Sequence, residues 1–119
     1  MLAPQQARAA GLVVEAPAEP ARIVVLSSPA LAAGNAFDVG PVPLTVGRSD
    51  DNAVALRRDE FASAHHARLE ALRDGVWLVD LGSTNGTHVN GARIDGRRRL
   101  RTGDVVRVGD TELRLEEGR

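Results

Sequence analysis

From Arg22 onward the chain alternates short apolar runs with turn residues. Gly40-Pro41, Asp74-Gly75, Asn85-Gly86, Asn90-Gly91, Asp95-Gly96 and Gly109-Asp110 interrupt the apolar runs every few residues. Gly, Asn and Asp supply the positive backbone angles and local side-chain bonds that tight turns require. The pattern predicts strands over 22–27, 35–38, 43–47, 53–56, 65–72, 76–81, 87–89 and 92–94, then a hairpin over 104–116. No helix of useful length is predicted. In the hairpin Thr111, Leu113 and Leu115 alternate with Glu112, Arg114 and Glu116, so one face is expected buried and the other wet. Gly109-Asp110 suits a II′ turn between its strands. Ala67, Leu69 and Ala71 alternate in the same way with Arg68 and Glu70. Val76-Trp77-Leu78-Val79 is apolar on both faces, which predicts a central strand. Many short strands without helices favour an all-β, two-sheet sandwich.

The length of 119 residues suits one domain with one core. Only Phe37, Phe61 and Trp77 are aromatic, so the core must be filled by aliphatic side chains. Residues 1–21 hold mainly Ala, Pro, Gln and Glu around one apolar cluster, Leu12-Val13-Val14, and are expected as a flexible tail. That tail offers no Ser, Thr or Tyr to a kinase. Residues 22–117 form the expected domain, and 118–119 its C-terminal end.

Composition removes several kinds of chemistry. All fifteen basic residues are Arg, so lysine nucleophiles, Schiff bases and phosphate-loop lysines are absent. There is no Cys for disulfides, thiolate metal sites or thiol nucleophiles. A net charge of −1 gives no global attraction to nucleic acid, and no apolar run is long enough to cross a bilayer. The expected setting is the cytoplasm, without nucleic acid or membrane insertion.

Three polar clusters end predicted strands: Gly47-Arg48-Ser49, Ser63-Ala64-His65-His66-Ala67 and Asp80 to Thr87. Strand 65–72 runs away from Ser63 and strand 76–81 returns, so Ser63 and the Ser83–Asn85 loop share one end of a sheet. Up-and-down counting places Arg48 one strand too far away, unless the short strand 53–56 lets the chain cross between sheets.

The ordered set of Gly47-Arg48, Ser63-x-x-His66-Ala67, Leu81-Gly82-Ser83-Thr84-Asn85-Gly86-Thr87, Val89-Asn90-Gly91, Gly103-Asp104 and Val108-Gly109 resembles a forkhead-associated (FHA) domain. The likeness covers roughly 22–117. It implies an FHA-like sandwich with binding loops at one end, and a module that docks phosphothreonine proteins or peptides in Ser/Thr kinase signalling. The implied partners are such a kinase or its substrates. By the same resemblance Arg48 and Ser63 hold the phosphate, Thr84 adds a contact, and Asn85 bonds the peptide backbone. Ser83 and Ala64 belong to the same peptide-binding loops. The position of Ala64 is often basic in the family, so either His65 partly replaces that cation or affinity is lower. Gly47 relieves crowding beneath its loop, and His66 holds Ser63 in place. Gly86 and Asn90 support turns. The all-Arg, Ala-rich composition resembles FHA proteins of high-GC actinobacteria.

A phosphodianion suits these residues, because it carries close to two charges and several acceptor oxygens. No cofactor or metal is expected, since adjacent strand residues His65 and His66 point to opposite faces. Ser63, His66 and Asp80 are the residue types of a hydrolase triad, but no Gly-x-Ser-x-Gly elbow accompanies them and no enzyme is expected. Arg97-Arg98-Arg99-Leu100-Arg101 reads as a solvated basic loop that could meet acidic residues flanking a phosphosite. The competing reading is an FHA scaffold for phosphate-independent protein contacts.

Overall fold

The expected alternation is realised in a computed structural model that describes residues 20–118. Residues 1–19, and with them nearly all of the expected tail, lie outside the described residues. Eleven strands follow in chain order: β1 (Ala21–Ser27), β2 (Ala36–Val39), β3 (Leu44–Gly47), β4 (Val54–Ala55), β5 (Ala67–Leu72), β6 (Gly75–Asp80), β7 (Thr87–Val89), β8 (Ala92–Arg93), β9 (Arg97–Arg99), β10 (Val105–Val108) and β11 (Thr111–Glu117). They form a six-stranded sheet, β2-β1-β11-β10-β7-β8, and a five-stranded sheet, β4-β3-β5-β6-β9. No helix occurs among the described residues.

The inner faces meet in an aliphatic core, as the scarcity of aromatic residues requires. Ile23, Val25, Val89, Val106, Val108, Leu113 and Leu115 come from the larger sheet, and Val46, Leu69 and Leu78 from the smaller. In β11, Thr111, Leu113 and Leu115 are buried while Glu112 and Arg114 are exposed. Val108 and Thr111 pair across the two-residue turn, where Gly109 alone takes a positive φ, 60°, as a II′ turn demands.

One expectation is corrected. Residues 97–99 are not a loop but the edge strand β9, paired with β6 as Trp77↔Arg99, Leu78↔Arg98 and Val79↔Arg97. All three arginines are exposed, so backbone pairing rather than apolar burial makes this strand. β6 therefore lies inside its sheet, as expected of a central strand, but no third layer covers it among the described residues: Val76 and Leu78 are buried, whereas Trp77 and Val79 are only half-buried.

The topology also brings Arg48 to Ser63. β4 does not lie between β3 and β5. It pairs in parallel on the outer side of β3, Val46↔Val54, so that β3 lies directly against β5, Val46↔Ala67.

Candidate functional site

Three loops gather at one end of the five-stranded sheet, because the ladders that define the sheet continue into them. Beyond β3, the Arg48 amide donates to the Ser63 carbonyl at 2.9 Å and the Ser49 amide to the Ala64 carbonyl at 3.1 Å. Beyond β6, the Leu81 amide donates to the His66 carbonyl at 3.0 Å. Ser63 thus sits between the Arg48 loop and the 81–86 loop.

Gly47 makes the first approach possible. A methyl group there would collide with the Ala64 carbonyl oxygen and lie 2.9 Å from its carbon, both backbone atoms with little freedom to yield. The buried Asn52 amide donates to the Ser49 and Ala64 carbonyls, both at 2.8 Å, and locks the turn. Ala64 contributes through this carbonyl, and its side chain is exposed.

His66 ties the remaining loops together. It is fully buried; its Nδ1 accepts the Ser63 amide at 3.0 Å, and its Nε2 donates to the Gly86 carbonyl at 2.9 Å. Those two bonds fix the neutral ring with its proton on Nε2. The Ser63 hydroxyl in turn accepts the Thr84 amide at 3.0 Å, which leaves its own proton free to be donated outward. Arg48 is exposed, and its guanidinium makes no hydrogen bond or ion pair among the described residues. Thr84 and Asn85 are exposed, with the Asn85 amide anchored to the Phe61 carbonyl at 2.9 Å. One free guanidinium, one free hydroxyl proton and two exposed polar side chains therefore face solvent at one end of the sandwich.

Ser83 has a different geometry from its neighbours. It is buried, and its hydroxyl donates to Asp80 Oδ1 at 2.5 Å, so it shapes the loop from within. The Asp80 carboxylate also accepts the Thr87 hydroxyl at 2.7 Å and the Gly82 and Ser83 amides at 3.0 and 3.2 Å. Burial alone would raise this carboxyl, but the hydroxyl and amide donors outweigh it and hold it below its ordinary range. A depressed carboxyl stabilises the fold above its unfolded pKa, and that stability is lost as pH falls through the folded value. Asp80→Asn is therefore expected to cost about 1–2 kcal/mol at neutral pH, discounted for partial solvent exposure. Urea midpoints measured against pH should show the gap between variant and wild type closing below the ordinary carboxylate range; a constant gap would contradict the assignment.

Asp59 escapes sequence reasoning altogether. It is fully buried and accepts the Thr111 hydroxyl at 2.7 Å, the Asp110 amide at 2.9 Å and the Phe61 amide at 3.1 Å. The loop carrying Ser63 is thereby pinned to the β10–β11 turn. The available signal was Thr111, a hydroxyl on the buried face of a strand, which needs a partner. Asn90, at the other end of β7, takes φ 51° and bonds Asp104 and the Val105 amide, away from the loops.

The geometry does not assemble a hydrolase triad. His66 bonds two backbone groups, Ser63 Oγ bonds the Thr84 amide, and Asp80 bonds its own loop. His65 is exposed, and its Nε2 is hydrogen-bonded to the Asp51 carboxylate at 2.9 Å. No group of three metal-ligating side chains occurs among the described residues.

A family model described as FHA domain matches residues 44–109. The FHA domain-containing protein FhaB of Mycolicibacterium smegmatis is 41% identical over 96 residues, covering 80% of this chain and 60% of that protein. This chain thus spans about three fifths of that relative's length. Among solved structures, the FHA domain of the CT664 protein from Chlamydia trachomatis superposes with a TM-score of 0.75 at 27% identity, covering 84% of this chain and 99% of that one. A structure described in a study of phosphothreonine-dependent FHA domain interactions gives 0.72 at 26% identity, covering 84% and 98%.

Proposed function

Since the chain belongs to the FHA-domain family, we propose that it is a phosphothreonine-dependent protein-binding module whose site is formed by Arg48, Ser63, Thr84 and Asn85. The observation that supports the reading is the backbone bond from the Arg48 amide to the Ser63 carbonyl, which joins a residue whose guanidinium is unpaired among the described residues to one whose hydroxyl proton is free. A guanidinium fork and a hydroxyl donor match the acceptors of a phosphate, and Arg-based capture is a general way to read phosphorylated motifs. Asn85, anchored through Phe61, presents its remaining amide groups to a peptide backbone. The exposed Phe61 ring flanks the same surface. The module takes in residues 22–117, supported by β1 and β11 pairing from Ala21↔Glu117 inward.

The family is one of binding modules, and we read this chain as non-enzymatic because each triad-type residue is committed to another bond. Its partners are phosphothreonine proteins linked to a Ser/Thr kinase. We place it in the cytoplasm, where such kinases act; no helix among the described residues is long and apolar enough to cross a membrane.

The test is calorimetry with three matched peptides carrying phosphothreonine, phosphoserine or unmodified threonine. The phosphothreonine peptide should bind and the unmodified one should not. Phosphoserine should bind at least about fourfold more weakly, the value of one buried methyl at ~0.8 kcal/mol, if the methyl enters the space between the Ser63 and Thr84 loops. Equal binding of the phosphorylated and unmodified peptides would instead favour a phosphate-independent scaffold.

A further inference from the structure

The outer face of β6 and β9 is unlike an ordinary wet sheet surface. Cross-strand neighbours share a face, so Trp77, Val79, Arg97 and Arg99 stand together on the outside, opposite the core-facing Leu78. The Arg97 guanidinium lies over the Trp77 ring, 4.5 Å from its centre, while the indole nitrogen donates to Asp74 at 2.9 Å. Arg97, Arg98, Arg99 and Arg101 are all exposed, and none forms an ion pair among the described residues. Four of the fifteen arginines thus fall within five residues of a chain whose net charge is −1. This concentrated, uncompensated charge is not explained by folding.

The row begins at the phosphate-binding end. The Asp80 amide donates to the Gly96 carbonyl at 2.8 Å, which places Arg97 beside the base of the 81–86 loop; β9 then runs antiparallel to β6, away from it. We propose that the β6–β9 outer face is a second docking surface, which receives an acidic, extended segment of the same phosphorylated partner as that segment leaves the site. The proposal rests on the phosphothreonine reading.

Spacing and charge favour this occupant. Arg97 and Arg99 are two residues apart on one strand face, about 7 Å, the repeat of alternate side chains in an extended peptide. Carboxylates at alternate positions would meet both forks, and Arg97 would turn from the Trp77 ring to one of them. Arg98 points to the core side at the sheet edge, a charge placement that discourages strand addition, so the segment lies across the face instead of extending the sheet. Nucleic acid is disfavoured by the acidic remainder of the chain.

Trp77 is the only tryptophan, so its emission reports this surface directly. The full chain and its R97Q/R99Q variant are titrated at physiological ionic strength with a short phosphothreonine peptide and with two versions extended at either end by alternating Asp. A Thr version of each extended peptide and a duplex DNA complete the set. At least one extended phosphopeptide should bind about fivefold more tightly than the short one, the size two exposed ion pairs give. It should also shift Trp77 emission, and both effects should vanish in R97Q/R99Q while short-peptide affinity is unchanged. No gain with either extension, or a gain that persists in R97Q/R99Q, overturns the proposal. Duplex DNA acting at lower concentration than the acidic peptides overturns it in favour of nucleic acid. If the short phosphopeptide fails to bind while an unphosphorylated acidic peptide still moves Trp77 emission in wild type only, the phosphothreonine reading falls and the acidic-segment surface stands. If neither acts, both fall.

Discussion

Arg48→Ala should leave the sandwich folded and weaken phosphothreonine-peptide binding by about a hundredfold or more. A hydrogen bond to a charged group is worth about 1.5–3 kcal/mol, and a guanidinium can direct two such bonds at one phosphate. About 3 kcal/mol corresponds to roughly two factors of ten in affinity. Stability should hardly change, because the Arg48 side chain is exposed and bonds nothing among the described residues; its backbone amide, which holds the Ser63 carbonyl, survives the substitution. Arg48→Lys should recover part of the loss, since it keeps the charge and gives up the fork. Calorimetry decides affinity and thermal melting decides folding. Undiminished affinity in a folded Arg48→Ala protein would falsify the phosphate-site assignment.

How far the sequence discloses this site depends on whether each residue's partner is near in sequence or far. The hairpin β5–β6 has a tight turn and a clear period of two, so the shared end of Ser63 and the 83–85 loop was readable from residues 65–81 alone. Arg48 was not readable in this way. Its neighbourhood depends on the two-residue β4 crossing to the outer side of β3, and two residues carry no periodicity; the family resemblance supplied what spacing could not. β9 was hidden for another reason. Three consecutive arginines read as solvated loop, and only the free backbone edge of β6 makes them a strand. Asp59 was hidden by distance, since its Thr111 partner lies 52 residues later. Ser83 and Thr84 are adjacent and chemically alike, yet one hydroxyl turns inward to Asp80 while the other residue stays exposed, a distinction only loop geometry makes.

His66→Ala should show its effect before any peptide is added. The imidazole is fully buried and bonds both the Ser63 amide and the Gly86 carbonyl, so removing it strands a part-buried donor and a buried acceptor. Each unsatisfied group costs about 1–3 kcal/mol, and the cavity left by the ring adds to that. A total of about 3 kcal/mol or more should lower the melting temperature by over about 10 °C in a domain of this size. Binding should weaken as a consequence, because Ser63 and Thr84 are presented by the two loops that His66 joins, and an unpinned site must be ordered at the expense of affinity. The two effects can be separated by hydrogen exchange on the free protein. Loss of protection at the Ser63 amide, together with the lowered melting temperature, marks His66 as a positioning residue. A melting temperature that stays put while affinity collapses would place its ring against the peptide instead. His66→Gln offers a further discrimination, since its amide can reach one of the two backbone partners but not both. It should fall between Ala and His in stability, and peptide affinity should follow the same order.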